Sequence, residues 1–174
     1  MFLWFGVLYK SKIFAKKEDL FLNVTILKSS NTLKTLDDSF KIKSIKHVKI
    51  DKLYFPKRKY LYHYLYGNLR FNKNFVMKIN TAFMLENNEK VKFVISSDDG
   101  FRLTIDGKKI CEYVKDRPMS KTECVVNLKK GKHKMFIKYF QGYGQLGLVG
   151  VYEINGKKYY IGQNSDYLRF YENN

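Results

Sequence analysis

Apolar and polar positions alternate most regularly in the second half of the chain. Val91, Phe93 and Ile95 alternate with Lys92, Val94 and Ser96, and Phe101, Leu103 and Ile105 with Arg102 and Thr104. A period of two places successive side chains on opposite faces of a strand. Cys124, Val126 and Leu128 repeat the pattern, as do Met135, Ile137 and Tyr139. Asp106-Gly107 and Asn155-Gly156 each sit between two such runs, so both predict two-residue hairpin turns. Residues 108–113, 148–154 and 157–161 are the remaining strands of this region, and Lys130-Gly131 is a further turn.

The first half is less regular. Residues 20–28 and 74–84 read as strands, with turns at Ser29–Thr32 and Glu86–Glu89. Residues 33–40 fit a loop or a short helix. Residues 41–50 read as an amphipathic strand, but Ile42, Ile45, Val48 and Ile50 do not alternate cleanly, so a helical reading stays open. From Lys52 to Arg70, Tyr54, Phe55, Tyr60, Tyr62, Tyr64 and Tyr66 are interleaved with Lys57, Arg58 and Lys59. Such a block can stack on single-stranded nucleic acid. Its ordinary reading is strand packing beneath solvated lysines.

Composition agrees with a β-rich globule. The 174 residues are 45% hydrophobic and 17% aromatic, so bulk disorder is excluded. Ala15 and Ala82 are the only alanines, which leaves little of the best helix former. Many short strands joined by tight turns predict an all-β, antiparallel sandwich with a less regular N-terminal segment.

The charge is +17, from 33 basic and 16 acidic residues. Such a balance invites a basic module that binds nucleic acid or an anionic membrane. Only five of the basic residues are arginines, the type that makes bidentate phosphate and base contacts, which weighs against nucleic acid. Residues 1–19 admit two readings: a buried first strand, or the remnant of an export signal or anchor. Their apolar run, Met1 to Tyr9, is too short to cross a bilayer, which needs about 20 residues. Residues 20–174 are expected to form one domain. Cys111 and Cys124 lack metal-ligand spacing and can pair in an oxidising compartment. His47, His63 and His133 are scattered, and no Ser/His/Asp, Cys/His or Glu pair stands at catalytic spacing, so an enzyme is not expected.

The densest chemistry is Ser96-Ser97-Asp98-Asp99-Gly100, followed by an alternating strand and Ile105-Asp106-Gly107. Val126-Asn127-Leu128, Lys130-Gly131 and Met135 to Phe140 follow in order. Across residues 66–165 this series resembles the protective-antigen-type β-sandwich domain, named for the anthrax toxin component. That module recurs in yeast flocculins and adhesins, bacterial glycosidases and large surface proteins. The resemblance implies a lectin-like, extracytoplasmic binding module in which two adjacent aspartates, joined by a cis peptide, bind Ca²⁺. On this chain they are Asp98 and Asp99. The resemblance adds an amide ligand from the later loop, Gln145, and the carbonyl of Gly147. Open positions on the ion would take sugar hydroxyls, and Tyr143 would stack on the sugar. The partner so implied is a glycan or cell-surface polysaccharide. Gly100, Asp106 and Gly107 are expected to be structural turn residues. The loop carries no acid of its own. A structural role for Asp98, capping the turn, and a metal-free protein-interaction domain therefore stand as alternatives.

Overall fold

The computed structural model describes residues 19–172. Fourteen strands and no helix are present among them: β1 (Leu22–Ser29), β2 (Ile42–Ile50), β3 (Tyr54–Arg58), β4 (Tyr62–His63), β5 (Gly67–Asn68), β6 (Phe75–Leu85), β7 (Glu89–Asp98), β8 (Phe101–Ile105), β9 (Lys108–Tyr113), β10 (Ser120–Leu128), β11 (Gly131–Gln141), β12 (Leu146–Ile154), β13 (Lys157–Tyr160) and β14 (Leu168–Tyr171). One sheet runs β2-β1-β6-β11-β8-β9, with β14 beside β6. The other runs β10-β7-β12-β13, with β3 beside β12. Strands β4 and β5 form a small separate hairpin. All the pairings are antiparallel. The expected all-β sandwich is therefore observed.

Alternation builds the core. Phe75, Met77, Ile79 and Phe83 of β6 are buried with Phe93 and Ile95 of β7, Phe101 and Leu103 of β8, and Ile137 and Tyr139 of β11. Tyr152 is also wholly buried, and its hydroxyl donates to the Gln163 carbonyl at 2.7 Å. A buried tyrosine needs such a partner. At the edge, Cys111 of β9 is bonded to Cys124 of β10, which ties one sheet to the other.

Residues 33–40 form no helix. Asp38 Oδ2 accepts the amides of Lys34 (2.7 Å) and Thr35 (3.0 Å), which folds a turn there. Leu33 and Leu36 then cover Val76 and Phe140 on the outer face of the first sheet, in a second small core with Leu27. The open choice for residues 41–50 resolves to a strand, in register with β1 from Leu22↔Ile50 to Ser29↔Ile42. Its imperfect alternation has a physical cause: β2 is an edge strand, Ile42 and Ile45 are exposed, and only its end reaches the core. Apart from Asp19, the segment 1–19 lies outside the described residues.

The topology gathers loops at one end. The chain crosses between sheets from β7 to β8, from β9 to β10 and from β11 to β12. The pairings Ser97↔Ser120, Asp98↔Gly147 and Phe101↔Tyr139 place all three crossings together.

Candidate functional site: a buried acidic pair under three crossover loops

Asp98 ends β7, and Asp99 begins the first crossing. Both are buried, at 6% and 4% exposure, and the peptide bond between them is cis. The Tyr139 hydroxyl, on the neighbouring sheet, donates to the Asp98 carbonyl. The Asp99 carboxylate holds two of the crossings: Oδ2 accepts the Gly142 amide at 2.8 Å and Oδ1 the Arg117 amide at 3.2 Å. Each oxygen keeps a further lone pair.

Glycine is required next to the pair by close approach. A Cβ on Gly100 would lie 2.4 Å from the Tyr113 carbonyl oxygen and 2.7 Å from the Phe140 ring. Its φ is not in the left-handed region, so the glycine expected to permit a sharp turn serves packing instead. Gly142 is similarly confined, with a Cβ placed 2.7 Å from the Leu33 carbonyl oxygen.

Burial raises the Asp98 carboxyl to about 6, and the adjacent Asp99 charge adds to the effect. Lys57, the Met119 amide and Arg117 pull it partly back. Asp99 is also raised, mainly by burial. Neither carboxylate forms an ion pair among the described residues, although the chain is strongly basic. Buried charges are ordinarily paired or bound to a metal. The nearby Arg117 guanidinium lies over the Tyr113 ring, 4.4 Å from its centroid. It donates to the hydroxyls of Ser97 (2.8 Å) and Thr122 (3.0 Å).

The donor set suits a hard cation. It offers two adjacent carboxylates, hard oxygen donors of the kind such an ion prefers. No group of three or more His, Cys, Asp or Glu converges among the described residues, so other oxygens would have to complete a shell.

The remaining expected residues divide into two groups. Gly147 is buried and pairs directly with Asp98. Gln145 and Tyr143 lie on the exposed rim, where Tyr143 is 82% exposed. Both line a cleft of about 500 Å³ with Gly144, Lys59, Asn72 and Lys73. Asp106 and Gly107 have φ of 51° and 76°, the hairpin conformation expected. They lie at the other end of β8, and Asp106 also bonds His133 Nδ1 at 2.6 Å.

Two residues escaped the sequence reading. Gln141 is fully buried, with its Oε1 2.9 Å from the Tyr139 hydroxyl oxygen, and its amide nitrogen donates to the Gln145 carbonyl at 2.9 Å, so it holds the loop. Its signal was available: Met135, Ile137, Tyr139 and Gln141 share one face by alternation. Arg117 had no such signal, because it lies in an irregular crossing.

No family model matches the chain, and no curated protein matches it. Solved structures do share the fold. The PA14 sugar-binding domain from an RTX adhesin matches with a TM-score of 0.63 at 13% identity, covering 80% of this chain and 92% of that one. The A domain of epithelial adhesin 9 from Candida glabrata, in complex with Galβ1-3GlcNAc, matches with a TM-score of 0.58 at 11% identity, covering 82% and 86%. An anti-sigma factor domain-containing protein has a TM-score of 0.63 at 15% identity, but this chain covers only 46% of it. The likeness establishes a PA14-type fold, and a fold alone does not fix function.

Proposed function

We propose that the chain is a non-catalytic binding module that recognises a glycan at a cell surface or another extracytoplasmic site. Ca²⁺ held by Asp98 and Asp99 assists this recognition. The observation that carries the reading is the acidic pair itself: two adjacent, buried carboxylates that form no ion pair among the described residues. Asp98 and Asp99 would hold the ion, with the carbonyl of Gly147 and the Gln145 amide as further oxygen donors. The ion would supply a Lewis-acidic point for hydroxyl oxygens. Tyr143, exposed on the loop whose Gly142 amide bonds Asp99, would offer a stacking face.

Two findings support the setting. The Cys111–Cys124 disulfide suits an oxidising compartment. Sugar-binding adhesin domains share the fold. Binding to a glycan array in Ca²⁺, lost on chelation and restored by Ca²⁺, is the expected result. Silence on the array with a co-purifying protein would favour a second reading, a protein-interaction domain. The exposed edge strand β2, with Ile42 and Ile45 open to solvent, supports that reading.

A further inference from the structure

The cleft lined by Tyr143 and Gln145 has a chemical character that the acidic pair does not explain. Its walls carry the ammonium groups of Lys59 and Lys73 and no carboxylate. Both lysines are exposed, and neither forms an ion pair among the described residues. A third ammonium, from Lys28, rests on the Lys73 carbonyl. Burial and the charges of Lys73 and Lys43 hold its proton affinity down. Positive charge is therefore concentrated on this wall, with no ion pair among the described residues to offset it.

A second cleft of about 210 Å³ shares Lys59 as a wall and adds Arg58, Tyr60, Tyr62 and Asn68. The Arg58 guanidinium lies 4.1 Å from the Tyr62 ring centroid, which presents it as a flat cationic face. Leu146 of β12 pairs with Arg58 of β3, so this basic run abuts the loop next to the acidic pair. Aromatic faces stand along the path, with Tyr143 at 82% and Tyr60 at 42% exposure.

We propose that the ligand of this groove is an acidic oligosaccharide, carboxylated or sulfated, with Tyr143 stacking on a sugar ring and Lys59 and Lys73 receiving its anionic groups. This deepens the glycan reading given above and rests on it. Two clefts that share the Lys59 wall fit a chain of several sugars better than a single one. Two lysines and a stacked arginine favour an anionic sugar over a neutral one, and a single nucleic-acid strand, which a basic and aromatic groove can also take, is the competing ligand in the test.

The test is titration calorimetry on the full chain in Ca²⁺ at fixed ionic strength. The probes are oligogalacturonate, a heparin-type oligosaccharide, neutral lactose and mannan, and an oligothymidylate. Wild type should bind at least one acidic oligosaccharide about tenfold or more tightly than either neutral probe. The Lys59→Glu/Lys73→Glu variant should lose about tenfold or more of that affinity. Both residues are exposed, so the variant should keep the wild-type melting temperature and its response to Ca²⁺. Neutral glycan bound as tightly as acidic glycan overturns the inference but leaves the glycan reading standing. Oligothymidylate bound as tightly as the acidic glycans overturns it in favour of a polyanion surface. Binding to none of the glycans overturns both.

Discussion

Arg117 and Asp99 meet through the backbone and not through their charges. The Arg117 amide donates to Asp99 Oδ1 at 3.2 Å, while the guanidinium turns onto Tyr113, Ser97 and Thr122. A cation thus lies close to two buried carboxylates without forming an ion pair with either. The crossing that carries Arg117 is anchored, and the carboxylates stay available to another cation.

The pH dependence of stability follows from Asp98. Its carboxyl titrates near 6 in the folded chain, against an ordinary value of 3.8. Between these values the native state holds a proton that the unfolded chain has released. Stability from this group therefore falls as pH rises from about 4 to about 6, then levels off. Asp98→Asn, which mimics the protonated form, removes that slope. Metal-free urea titrations of both proteins at several pH values should give curves that diverge across this window. Parallel curves would show that Asp98 is not held up by its surroundings.

Close approach at Gly100 sets a steric test. Gly100→Ala drives a methyl into the Tyr113 carbonyl and the Phe140 ring and should cost about 3 kcal/mol or more. Gly144 has open space but a φ of +96°, so Gly144→Ala should cost only about 1 kcal/mol. Chemical denaturation of both variants ranks the two effects. Equal losses would mean that the crossing can yield around residue 100.

At the opposite end of β8, Asp106 fastens the hairpin to β11. Its Oδ2 meets His133 Nδ1 at 2.6 Å, and its Oδ1 accepts the Lys134 amide at 2.8 Å. His133 is buried and stacked on Phe83. Asp106→Ala should destabilise the fold by about 2 kcal/mol and leave any Ca²⁺ response unchanged. A lost Ca²⁺ response in a folded variant would contradict the structural role assigned to this aspartate.

The disulfide contributes through the unfolded chain. Cys111 and Cys124 are 13 residues apart, and closing a loop of that size is worth about 3 kcal/mol. The Cys111→Ser/Cys124→Ser variant should lose that much in a denaturant titration. An unchanged midpoint would mean that the bond contributes nothing to stability.

Legibility of the fold tracked local signals. Alternation at Val91–Ile95 and Phe101–Ile105 and the Asp106-Gly107 and Asn155-Gly156 turns could be read directly, because each is fixed by a few adjacent residues. Strand β14 could not, since Leu168–Tyr171 is short and finds its place only by pairing with β6. The turn at residues 33–40 depends on Asp38 reaching back to Lys34 and on an apolar patch at Val76 and Phe140, remote in sequence. In the candidate site, the acidic pair stood out as a motif. The Arg117 amide and the lysine-lined cleft did not, because the fold alone brings residues 59, 73, 99, 117 and 143 to one end.

Ca²⁺ binding by the Asp98–Asp99 pair is open to direct test. The most direct measurement is the melting temperature of the chelator-treated chain, followed as Ca²⁺ is added to millimolar concentration. At about 100 times the dissociation constant, a bound ion adds about 2.7 kcal/mol. If the pair holds Ca²⁺, wild type shifts clearly upward and Asp98→Asn/Asp99→Asn does not shift. A wild-type melting temperature that does not move, or a double variant that shifts as wild type does, would contradict it.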